Sequence, residues 1–231
     1  MAFGILQSRN PSPPGTSLLE ALDSSDERAG VILVPQPSNS PYDPLNWSRL
    51  RKEMIFVTIV FGSILTGVIG PVLVPGFTIV AGEFGVGFTQ ISLLNGSLIM
   101  GLGVSNYVCA ALAPIYGKRP IYLFTTVLFV VSCIWAAASQ SYKSLLISRV
   151  FQGLSMGGFF GLSGTITIND IWFVHERGLR VGLWNMAGIA STNIAPIISG
   201  YLIVDLGWRW SFWILAISFA VVLVFVIIFM P

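Results

Sequence analysis

Charge is scarce in this sequence. Of its 231 residues only 10% are Asp, Glu, Lys or Arg, while 54% are hydrophobic. A soluble domain carries roughly 25% charged residues, so these side chains cannot clothe a water-exposed surface. Cysteine is nearly missing. Cys109 and Cys133 both lie inside apolar runs, which excludes a disulfide framework and reads them as small core residues. Histidine occurs once, as His175 in a polar HERG stretch, where a solvated side chain is expected. No Cys/His cluster has metal-ligand spacing. No phosphate-binding loop is present, and no nucleophile has a base and an orienting partner. No metal, no cofactor and no enzymatic activity are therefore expected. The net charge of +2, without a Lys/Arg cluster, argues against a nucleic-acid partner. Near the N-terminus no apolar run is long enough for a signal peptide.

What the sequence has in quantity is long apolar runs. Residues 1–53 read as a cytosolic, disordered tail, broken by PSPPG and PQPSNSPYDP. A membrane span needs about 20 predominantly apolar residues. Six candidates follow the tail, at 54–80, 88–112, 121–138, 144–168, 181–204 and 211–230. The predicted fold class is an all-α membrane protein with six transmembrane helices. The breaks are short and polar, so successive spans run antiparallel. Arg49, Arg51, Lys52, Lys118, Arg119, Arg177 and Arg180 fall on one side, and only Lys143 and Arg209 on the other. The positive-inside rule then puts both termini in the cytosol. Trp47, Trp172, Trp208 and Trp210 sit at span ends, as an interfacial belt requires.

Within the spans, small residues repeat every fourth position. Gly153, Gly157 and Gly161 share one helix face, and Ala187, Ser191, Ala195 and Ser199 share another. Helices in lipid associate by close backbone approach, so both stripes predict packing seams. Arg149 is the one strongly charged residue deep in a span, with Gln152 three positions on. An intramembrane arginine costs roughly 2.5 kcal/mol or more. It either snorkels to the interface or faces a polar interior. Asn95 and Asn106, three turns apart, face the same way and either bond across a seam or line a polar path.

Several segments together resemble the major facilitator superfamily, specifically the N-terminal six-helix half of fungal drug:proton antiporter-type transporters. The branch that includes polyamine and histidinol carriers is the most similar. These segments are PQPSNSPYDPLNWSRLRKE before the first span, YGKRP at 116–120, RVFQG at 149–153, NDIWFVHERG, APIISG at 195–200 and GWRWSFWI. Two departures stand out. The family's loop glycine and aspartate between spans two and three are here Ala110 and Pro114, and two antiporter-motif glycines are Ala195 and Ser199. The resemblance implies transport of small organic solutes (a drug, a secondary metabolite or a polyamine-like cation) by rocking of two halves. It assigns Arg149, Gln152, Asn95 and Asn106 to a substrate or proton pathway. Gly117, Lys118, Arg119, Asp170 and Arg177 become the cytosolic gate. Gly153, Gly157 and Gly161, with Ala195, Pro196, Ser199 and Gly200, become the packing and antiporter-like motif.

The resemblance further implies the lipid bilayer and a small-molecule substrate as partners. Proton coupling is left open. The plasma membrane is the expected location, with the vacuolar membrane as the alternative. The expected second half is either a homodimeric copy or a missing C-terminal half. The alternative function is a truncated, non-transporting membrane protein that pairs with or regulates a full-length relative.

Overall fold

The computed structural model describes residues 43–230, without the side chains of 163–165. The tail predicted over 1–53 therefore lies largely outside the described residues. A backbone in hydrocarbon must satisfy its own hydrogen bonds, and helices do so within one segment. Among the described residues, six helical segments are long and apolar enough to cross a membrane.

The first span is broken. Helix α1, Arg49–Ile69, begins before the predicted start at Met54. It gives way to a 3-10 turn, Pro71–Gly76, which holds Pro75, and then to α2, Phe77–Phe84. Proline lacks the N–H an α-helix needs and clashes with the preceding turn. Span two is α3, Phe88–Tyr116, and span three is α4, Lys118–Ala138. Span four starts as α5, Tyr142–Ser155, continues in π-helical geometry over Gly158–Thr167, and ends in the short α6, Ile168–Ile171. Span five is α7, Val174–Leu206, and span six is α8, Trp208–Phe229. Span five exceeds its predicted 181–204 at both ends because a helix continues past the apolar core into the interface.

Two single-residue joints close the zigzag. Gly117 joins α3 to α4 at φ 85°, and Gly207 joins α7 to α8 at φ 89°. An L side chain is strained there, so glycine permits the immediate reversal. The joints sit at opposite ends of the bundle. This is the mark of an inverted repeat, in which spans 1–3 correspond to spans 4–6. The packing agrees: α1 lies against α7 and α8, as α5 lies against α3 and α4, and α4 meets α8 at the centre. In that central seam Phe129 stacks on Phe219 at 3.8 Å. Spans two and five bury the smallest share of their side chains.

Candidate functional site

The glycine stripe of span four is a seam against span two. A Cβ on Gly153 would lie 2.2 Å from the Leu98 carbonyl oxygen, and one on Gly157 2.8 Å from the Ser105 backbone. A Cβ on Gly161 would come 3.1 Å from Asn106 Oδ1. The second stripe behaves differently. Ser191, Ala195 and Ser199 are buried, and Ser191 packs on Gly67 of span one. Pro196 lies within α7, and a Cβ on Gly200 would meet only Pro75, at 3.7 Å.

Arg149 is fully buried within the bundle rather than reaching an interface. Its Nη1 donates to the Ile69 carbonyl at 3.0 Å and to Gln152 Oε1 at 3.2 Å, and the guanidinium lies 4.8 Å from the Phe212 ring centre. Gln152, also buried, donates to the Ser132 carbonyl. The pair thus ties span four to spans one, three and six. Ile69 closes α1 just before the proline turn, where the helix leaves carbonyls without N–H partners. Arg149 supplies one of them with a donor.

Asn95 and Asn106 are half-buried on α3, and the Oδ1 of each is buried without a partner among the described residues. Neither Oδ1 is hydrogen-bonded to the Arg149–Gln152 pair. Asn106 Oδ1 faces the π-helical segment at Gly161. π-Helical turns are rare and concentrate at functional sites.

The residues that the resemblance assigns to a gate lie at the basic end. Lys118 Nζ pairs with Asp170 Oδ2 and donates to the Ile166 carbonyl. Asp170, from the end of span four, is the anion beside Lys118. Gly117 is the joint beside this pair, Arg119 donates to the Ile227 carbonyl, and Arg177 Nε donates to the Trp172 carbonyl at 2.8 Å. Arg180 is held by Glu53, with 2.8 Å from Nη1 to Oε2, while its guanidinium lies 4.1 Å over Trp172 and 4.9 Å over Phe56. Lys52 donates to the Leu45 carbonyl and approaches Phe173 at 5.1 Å. Spans one and five are thereby clasped at this end.

A polar groove between spans one, four and five was not anticipated from the sequence. Ser63, Phe160, Trp184, Asn185, Gly188, Ile189 and Thr192 line a hollow of about 110 Å³. Trp184 Nε1 donates to Ser63 Oγ at 2.7 Å, and Ser63 Oγ donates to the Phe159 carbonyl at 3.3 Å. Asn185 and Thr192 are exposed. They are seven residues apart, two turns, and so share a face. All of this lies near the middle of the spans, where a lipid-facing surface would be apolar. The available signal was the spacing of Asn185 and Thr192 within an apolar run. The Ser63–Trp184 bond, between different spans, has no local signature.

A bundle of six inverted-repeat helices with a polar mid-depth groove and a charged clasp at one end is built like one half of a membrane carrier. The sequence pattern of the Major Facilitator Superfamily matches residues 55–231, and the chain belongs to that superfamily. It is 29% identical to Protein HOL1 of Saccharomyces cerevisiae, over 82% of this chain and 32% of that protein. It is 27% identical to Efflux pump radE of Floropilus chiversii, over 87% of this chain and 38% of that pump. The structure of the proton:xylose symporter XylE superimposes with a TM-score of 0.69 at 16% identity, covering 78% of this chain and 45% of XylE. The chain spans about a third of the length of these curated relatives. It is an integral, multi-pass membrane protein.

Proposed function

We propose that these six spans form one body of a carrier for small organic solutes, with the polar groove of spans one, four and five facing a second six-helix body. Alternating access needs two such bodies rocking about a site between them. Ser63, Trp184, Asn185 and Thr192 contribute the groove's hydrogen-bonding groups. Asn106 and the π-helical segment form its side wall toward span two. Arg149 and Gln152 act from behind, as a rigid brace that fixes the broken first span. The Lys118–Asp170 pair and the Arg180–Glu53–Trp172 clasp form the cytosolic gate.

The observation that carries the reading is the exposed polar strip of Asn185 and Thr192 at mid-depth. The efflux and multidrug names of fungal relatives support export of an organic cation or secondary metabolite. The plasma membrane is the proposed site, and a proton is the proposed coupling ion.

The test is cysteine accessibility in a Cys109→Ala, Cys133→Ala background. Asn185→Cys and Thr192→Cys react with a membrane-impermeant maleimide and are protected by a transported cation. Ile217→Cys, at a position exposed on span six and outside the groove lining, stays unreactive. Equal protection of all three from water would overturn the reading.

A further inference from the structure

The inverted repeat creates two apolar grooves, one toward each end of the bundle. The groove away from the basic end lies between spans one, five and six, encloses about 400 Å³, and is lined by residues such as Val68, Ala195, Ile198, Ser199, Ser211 and Leu215. Its lining runs along span five from Ala187 to Leu202. That is about 22 Å of helix at 1.5 Å per residue, against roughly 15 Å for one leaflet of hydrocarbon. Ile194, Ile198 and Ile214 are exposed, so the groove is open at its side.

The floor is flat because span five places small residues there. The serines along it are satisfied: Ser191 donates to the Gly188 carbonyl, Ser199 to the Pro196 carbonyl and Ser218 of span six to the Ile214 carbonyl. Ser211 is the exception. It is 2% exposed, lies at the groove's outer end, and its Oγ has no partner among the described residues. A buried hydroxyl without a partner is rare and calls for one.

We propose that this groove binds a membrane sterol, with its rigid hydrocarbon on the small-residue floor and its single hydroxyl bonded to Ser211. Among the described residues, no charged side chain lines the groove. Arg209 is engaged by Glu83 at 2.8 Å, by the Ser139 carbonyl at 3.3 Å and by the Trp208 ring at 4.6 Å. Among the described residues of span six, no free cation is left for a phosphate, so an uncharged head fits. The symmetry-related groove, about 570 Å³ between spans two, three and four, provides an internal control. Its Ser105 and Thr125 hydroxyls both donate to backbone carbonyls, so neither calls for a ligand. This site is independent of the transport reading.

The experiment reconstitutes the chain in phosphatidylcholine vesicles with a diazirine-bearing sterol and maps the labelled peptides after illumination. The expected result is saturable labelling of spans five and six, displaced by unlabelled sterol. Ser211→Ala weakens it roughly two- to tenfold, the worth of one neutral hydrogen bond. Thr125→Val leaves it unchanged, and Ser199→Leu, which fills the groove, abolishes it. The Ser211→Ala and displacement results decide the matter even where Ser199→Leu fails to fold. Equal labelling of both grooves, no effect of Ser211→Ala, or labelling by a photoactivatable phosphatidylcholine that sterol does not displace would each overturn the proposal.

Discussion

At the scale of single residues, glycines of one composition have opposite roles. Gly153 leaves no room for a methyl group because the Leu98 carbonyl lies 2.2 Å from where it would stand, whereas Gly96 and Gly103 on α3 have nothing within 4 Å. Gly153→Ala should destabilise by about 1–3 kcal/mol through overpacking, while Gly96→Ala should be neutral or stabilising by up to about 1 kcal/mol through helix propensity. Denaturation in detergent followed by circular dichroism checks both, and equal effects would mean that no tight seam exists at Gly153. The four-residue repeat made this seam legible in the sequence. Arg149 was half legible. Its intramembrane charge announced a polar environment, but its partners, the Ile69 carbonyl and the Phe212 ring, come from distant spans and have no sequence signature. Since Arg149 is fully buried, Arg149→Cys should resist aqueous thiol reagents in folded protein, unlike Asn185→Cys. Rapid modification would place water where the structure places packed side chains.

At the scale of elements, the first and fourth spans depart from a simple reading. The apolar run of 54–80 looks continuous by hydropathy, but Pro71 and Pro75 turn it into helix, 3-10 turn and helix. Span four reads as one helix by composition, yet its second half takes π geometry beside the glycine seam. Composition reports burial in lipid and is blind to which carbonyl each N–H chooses. The end of this segment is pinned at the basic side: Thr167 Oγ1 donates to the Leu162 carbonyl at 2.9 Å, and Lys118 holds both Ile166 and Asp170. The Lys118–Asp170 pair is partly exposed, so it contributes only about 0–1 kcal/mol to stability. Its effect is expected on the balance between conformations. Lys118→Asp or Asp170→Lys alone should lower tracer flux in the assembled carrier, and the double reversal should restore much of it. Flux that is equally low in the double variant would mean that the pair does not act as a latch.

At the scale of the whole molecule, the number of spans and the fold class were readable because the bilayer leaves few solutions. Long apolar runs must be helices, and short polar breaks must reverse them. The location of the polar groove was not readable, since it emerges only when spans one, four and five converge. With an even number of spans and the basic residues at one end, both termini should be cytosolic, and reporter fusions should agree. Glycan on Asn46, within Asn46-Trp47-Ser48, would reverse that topology. Asn185 and Thr192 present polar side chains on an exposed surface at mid-depth, where lipid offers no hydrogen bonds. A second six-helix body, contributed by further polypeptide, a second copy or another chain, would cover them. The most direct measurement is tracer flux of an organic cation into proteoliposomes, with the oligomeric state of the same preparation determined by light scattering. Saturable flux is predicted only where a second six-helix body accompanies this one. Saturable flux by a monomer of this 231-residue chain would contradict it.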